Sequence, residues 1–132
     1  MKLLASVSMV VLLVLCAASA GAAGLDFQSI TVNANQSNYN GSCPDQIVFT
    51  AWVTVVAPED GDVFNHQWTR SDGATGPTVV HRLHRGINRV EIKETWSLGA
   101  TGNHYNVWEE LHVNSGNTHL NQRSRELNVT CR

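Results

Sequence analysis

An all-β fold, two antiparallel sheets of seven short strands packed as a sandwich, is what this chain of 132 residues predicts. Three observations carry that expectation. No segment sustains the helical period of apolar residues. Short runs rich in Val, Ile, Thr and Trp recur instead, separated by Gly, Asn, Asp and Pro. Cys43 and Cys131 bracket nearly all of those runs.

The chain opens on a different kind of segment. Residues 1–23 read as an export signal: Lys2 supplies the positive start, an apolar run follows, and small residues end it. Signal peptidase needs small side chains at its −3 and −1 subsites, so cleavage after Ala20 or Ala23 fits. The apolar run is shorter than the ~20 residues a spanning helix needs. Residues 24–132 then form a single domain of ordinary size, with a thin core that a crosslink would help. Without Lys2, eight basic side chains face eleven acidic ones, a net of −3. That balance excludes a nucleic-acid footprint, and no membrane span is expected in the mature chain.

The elements follow in order. Leu25 to Ala34 is a first strand, and Asn33 to Ser42 a polar loop. Ile47 to Val56 alternates most clearly, with Ile47, Phe49, Ala51, Val53 and Val55 on one face and Trp52 on the other. Val63 to Arg70 places Phe64, His66, Trp68 and Arg70 on one side, before a Ser71-Asp72-Gly73 turn. Thr78 to His84 is a weaker fourth strand. Ile87 to Leu98 keeps Val90, Ile92, Trp96 and Leu98 in phase, interrupted by Glu94. Tyr105 to Val113 is the sixth. There Trp108, Leu111 and Val113 share no period-2 face, which a bulge near Glu109 and Glu110 would reconcile. Arg123 to Cys131 is the seventh. Trp68, Trp96 and Trp108 are expected in the core, and Trp52 on the surface.

Cys16 leaves with the signal, so Cys43 and Cys131 remain as one pair in an oxidising compartment. If strands alternate up and down, the second starts at the end of the sandwich where the seventh finishes. A Cys43–Cys131 bridge is therefore geometrically reasonable.

The run Cys43-Pro44-Asp45-Gln46-Ile47-Val48-Phe49, then Trp68-Thr69-Arg70-Ser71-Asp72-Gly73-Ala74, then Thr95-Trp96, resembles a group of small secreted bacterial proteins. Their motifs read C-P-x-x-V-x-F, W-x-R-S-D-G-A and T-W. The resemblance covers about residues 43–131. It implies an immunoglobulin-like sandwich and export, and no activity. His66 departs from a position that is often aromatic in the group.

Little in the chain points to chemistry. His81 and His84 have a spacing that sends strand side chains to opposite faces, and His104, His112 and His119 lie on another hairpin. No cysteine or carboxylate cluster completes a metal set, so no metal and no cofactor is expected. Glu109, Glu110 and Glu94 resemble a hydrolytic carboxylate set, but adjacent strand residues face opposite ways. No nucleophile elbow or phosphate loop appears. Sequons at Asn35, Asn40 and Asn128 are potential glycosylation sites in a eukaryotic secretory pathway.

The functional expectation is a secreted, non-catalytic binding module for an extracellular protein or glycan, monomeric, with Trp52, Arg70 and Asp72 as its candidate surface. One alternative is a fibre or matrix subunit assembled by strand addition through residues 25–34. Another is a small secreted hydrolase or hydrolase inhibitor.

Overall fold

The computed structural model describes residues 24–43, 45–99 and 102–132. The predicted export signal, with Cys16, lies outside the described residues. Among the described residues there is no helix, hence none long and apolar enough to cross a membrane.

The chain is all-β. Its strands are β1 (Asp26–Ala34), β2 (Tyr39–Gly41), β3 (Asp45–Ala57), β4 (Val63–Arg70), β5 (Val79–Arg82), β6 (Gly86–Leu98), β7 (His104–Val107), β8 (Glu109–Ser115), β9 (Thr118–Arg123) and β10 (Leu127–Cys131). They form three hydrogen-bonded sheets, ordered β1-β3-β6, β2-β10-β7 and β5-β4-β8-β9. All pairings are antiparallel except β2 with β10, which is parallel.

The second and third sheets are joined along the chain. Only Trp108 separates β7 from β8, and residues 124–126 separate β9 from β10. Val107 pairs with Leu127, and Glu110 pairs with Arg123. Two residues therefore face three between those pairs, which is a bulge on the β9–β10 side. Serines tie the backbone on both flanks of the bend. Ser124 N donates to Glu109 O (2.8 Å), and Ser124 Oγ accepts from Glu109 N (3.1 Å). Ser71 N donates to Trp108 O (3.0 Å), and Ser71 Oγ accepts from Trp108 N (3.2 Å).

That bend corrects the expected sixth strand. The extra residue lies near Ser124, not at Glu109 and Glu110, and the inward phase runs Val107, Glu109, Leu111, Val113. Trp108 turns outward instead of joining the core, and Arg123 covers it with its guanidinium 3.6 Å from the ring centroid. Two further strands lack apolar periodicity and escaped the pattern. β2 lies inside the expected polar loop, and β9 is exposed throughout, ahead of the expected seventh strand.

The inward faces close on one hydrophobic cluster. Strand β3 contributes Ile47, Phe49, Ala51, Val53, Val55 and Ala57 in strict alternation, all essentially inaccessible. β6 adds Ile92, Trp96 and Leu98. Across from them stand Phe64 and Trp68 of β4, Leu111 and Val113 of β8, and Leu127 and Val129 of β10. Phe27 of β1 meets Phe64 of β4 edge-on at 5.7 Å, linking two sheets.

Cys43 and Cys131 are bonded, with Cα atoms 5.3 Å apart and a sequence separation of 88. Closing a loop of that length stabilises the fold by about 4–5 kcal/mol on the chain-entropy model. Ile47, Phe49, Val53 and Val55 each contribute about 1.5–3 kcal/mol by burial. The core therefore outweighs the crosslink, which fastens an already apolar framework. Reduction of the bridge is expected to lower the unfolding free energy by about 2–5 kcal/mol. Urea denaturation with and without reductant checks this, and an unchanged midpoint would contradict it.

Candidate functional site

Four ionisable side chains gather where β4 ends. On its inner face β4 carries Trp68 and then Arg70. The β4–β8 register sets Arg70 directly opposite Glu109 and Trp68 opposite Leu111. From the facing sheet, β6 turns Glu94 and Trp96 inward at the phase of Ile92 and Leu98. The Arg70 guanidinium lies 4.5 Å from the centroid of Trp96.

Arg70 is engaged by the turn that follows it. Its Nη2 donates to Asp72 Oδ2 (2.7 Å) and its Nε to Asp72 Oδ1 (3.2 Å). Asp72 Oδ1 also accepts from Ala74 N (3.0 Å), the Asx bond expected of an aspartate at a turn. Gly73 has φ of 88°, a left-handed conformation that glycine adopts without strain. The chain then folds back: Arg70 N donates to Ala74 O (2.8 Å) and Gly76 N to Trp68 O (2.9 Å). A recess of about 130 Å³ remains, lined by Trp68, Arg70, Ala74, Thr75, Gly76 and Glu94.

Directly across the ladder from Arg70 lies an anomaly. Glu109 is wholly buried, and neither carboxyl oxygen has a hydrogen-bond partner. The indole N–H of Trp68 is also buried without one. Leaving an ionised carboxylate unpaired in an apolar interior costs far more than leaving a neutral one. Burial first, then the charge of Glu94 and to a smaller extent that of Asp72, raise the Glu109 pKa from 4.5 to about 8 against the opposing pull of Arg70. At neutral pH Glu109 is protonated. Asp72 is held below its ordinary range, chiefly by the hydrogen bond from Arg70. That pair is half exposed, so it stabilises the fold by only ~0–1 kcal/mol.

The other singled-out residues lie elsewhere. Trp52 is half-buried on the outer face of β3, as its phase predicts, with the Arg89 guanidinium 4.3 Å from its ring. It stands opposite Glu91 in register and faces away from the core that receives Arg70, so the structure does not bring Trp52 to Arg70 and Asp72. Glu110 faces outward and pairs with Arg123 (3.2 Å), so it does not share a site with Glu109. Asn35, Asn40 and Asn128 are all exposed. Asn35 and Asn40 accept hydrogen bonds at Oδ1, from Val48 N (2.9 Å) and Arg132 Nε (2.7 Å), and glycans attach at the other amide atom.

The histidines are not all scattered on the surface. His66 is buried, and its Nδ1 lies 2.6 Å from His81 Nε2. The two rings stack at 4.8 Å, and Phe64 stacks on His81 at the same separation. Burial, with a smaller contribution from a charge on His81, holds His66 down at about 4. Burial lowers His81 as well. His84 is exposed. His104 meets Thr130, His112 lies 3.2 Å from Glu110, and His119 contacts Asn114. Among the described residues no three His, Cys, Asp or Glu side chains converge to hold a metal.

The one functional-site residue that sequence reasoning placed wrongly in its strand is Glu109. The signal was present: Val107, Glu109, Leu111 and Val113 alternate without a break. Anchoring the phase on Trp108 concealed it.

No family model matches this chain, no curated protein matches its sequence, and no solved structure matches its fold.

Glu109 and His66 bias stability in opposite directions. The raised Glu109 contributes stability that is full below about 4.5 and lost as pH rises through about 8. The depressed His66 contributes stability that is full above about 6.5 and lost as pH falls toward 4. Glu109→Gln is therefore expected to gain stability over the parent progressively from about pH 4.5, levelling above about pH 8. Urea denaturation across that range checks it. A difference that does not change with pH would show that Glu109 does not titrate as described.

Proposed function

We propose that this chain is a secreted, non-catalytic binding module on an immunoglobulin-like sandwich. The observation that carries the binding role is the braced turn over residues 71–76, which holds Arg70 and Asp72 above a recess at one end of a well-packed scaffold. Loops positioned by rigid sheets are where binding residues concentrate.

The sandwich reading has its own support. Treating β7 with β8 and β9 with β10 as single strands, and β1 with β2 as one strand that crosses from one layer to the other, leaves seven in two layers. One is β1-β3-β6, and the other runs β5, β4, β8 with β7, β9 with β10, then β2. The Cys43–Cys131 bridge supports export, because disulfides persist in oxidising compartments. Trp52, covered by Arg89, offers a second surface of residue types enriched at interfaces. The ligand class is an extracellular protein or glycan. The resemblance of residues 43–131 to small secreted bacterial proteins supports the sandwich and the export alone.

A pull-down with the mature protein from its native extracellular milieu tests it. A specific partner is expected, with capture reduced at least severalfold by Asp72→Asn and by Arg70→Ala. A bait that retains nothing would overturn the proposal.

One observation favours a fibre subunit as a second reading. Strands β6 and β1 each pair with β3 alone, so each leaves an edge without a ladder partner among the described residues. Light scattering separates the two readings. A binding module keeps monomer mass as concentration rises, and a strand-adding subunit grows.

A further inference from the structure

We infer that the recess at the end of β4 takes a cationic group, an ammonium or guanidinium, which displaces Arg70 from Asp72 onto Glu109. This rests on the binding-module reading and names the chemistry of its ligand.

The charges around the recess point that way. Glu94 lines the recess and has no ion pair among the described residues. Asp72, in the turn that leads to the lining residues Ala74, Thr75 and Gly76, has Arg70 as its ion-pair partner. Arg70 already occupies a cation's place, against the face of Trp96 and paired with the Asp72 carboxylate. Glu109 supplies the independent observation. It is a wholly buried carboxyl with two unpartnered oxygens, on the same inner face as Arg70 and directly cross-strand from it. Directly opposed residues bring their side chains within contact range. Buried polar groups in native proteins have partners almost without exception, so Glu109 is matched to a state in which Arg70 turns inward.

The exchange balances. The incoming cation pairs with Asp72 and Glu94. Arg70 leaves Asp72 and pairs with Glu109, whose carboxyl O–H bond breaks, and that proton passes to solvent. One cation enters and one proton leaves, so the charge of the site is unchanged. The groups facing Glu109 are Arg70 from β4, Asp72 from the turn and Glu94 from β6. All take part. The half-exposed Arg70–Asp72 pair is weak enough to be replaced.

Two measurements on the full mature chain test this. The first needs no ligand. Asp72→Asn releases Arg70, so the Glu109 carboxyl, followed by its carbon NMR shift, should titrate at lower pH than in the parent. An unchanged Glu109 titration would overturn the inference. The second uses n-butylammonium, with neutral n-butanol as control, in weakly buffered solution near pH 7. The ammonium is expected to bind saturably and release protons, and the alcohol to do neither. Glu109→Gln should abolish the proton release and weaken binding roughly tenfold or more, the loss of one charge-assisted hydrogen bond. Binding without proton release, or equal binding of the alcohol, would sink it. If these fail while Asp72→Asn still reduces partner capture, the binding-module reading survives and the cation exchange does not.

Discussion

The bend between β7 and β8 is the constraint on which the rest depends. Two serines, Ser71 and Ser124, hold the backbone of Trp108 and Glu109 from opposite sides where the regular ladder is interrupted. One extra residue on the β9–β10 side lets the paired strands keep their hydrogen bonds on both sides of the bend. With the phase pinned there, Trp108 must face out and Glu109 must face in. Strand side chains alternate, so no local adjustment of one reverses the other.

A carboxylic acid thus enters an apolar interior as a consequence of register. Burial there favours its neutral form until pH rises through about 8. The same geometry places the Arg70 cation directly across the ladder yet draws its guanidinium away to Asp72 and over Trp96. The end of β4 is therefore not an ordinary surface ion pair. Arg70 pairs with Asp72 of the turn, while Glu94 lines the recess and the buried Glu109 stands across the ladder. The opposite region of the same strand is treated differently. His66 is buried with a neutral partner, His81, and the stacked rings need no charge at all. Both devices put a titratable group in the core, and each stays uncharged near neutrality.

Much of the architecture was legible in the residues. The alternation in Ile47–Val55, the inward row Phe64, His66, Trp68 and Arg70, and the phase of Ile92, Trp96 and Leu98 all reappear as inner faces. So does the outward placement of Trp52. Strands β2 and β9 were not legible because β2 is three residues long with only Tyr39 packed against the core, and β9 is exposed throughout. In both, a neighbour's ladder makes the strand. Trp108 misled because an aromatic side chain suggests a core position. Burial of its face is achieved instead by the stem and guanidinium of Arg123.

By itself the sequence determined what local chemistry can determine. Period-2 patterning sets strands, Gly and Asp set turns, and two lone cysteines after a leader-like segment set a single crosslink. Only the tertiary structure decided which charges meet. Glu94, Glu109 and Arg70 come from three strands, and their encounter depends on the register of β4 with β8 and on the packing of β6 across the core. Register and packing are non-local: they are set by summed burial over whole faces, and no short window of residues encodes the result.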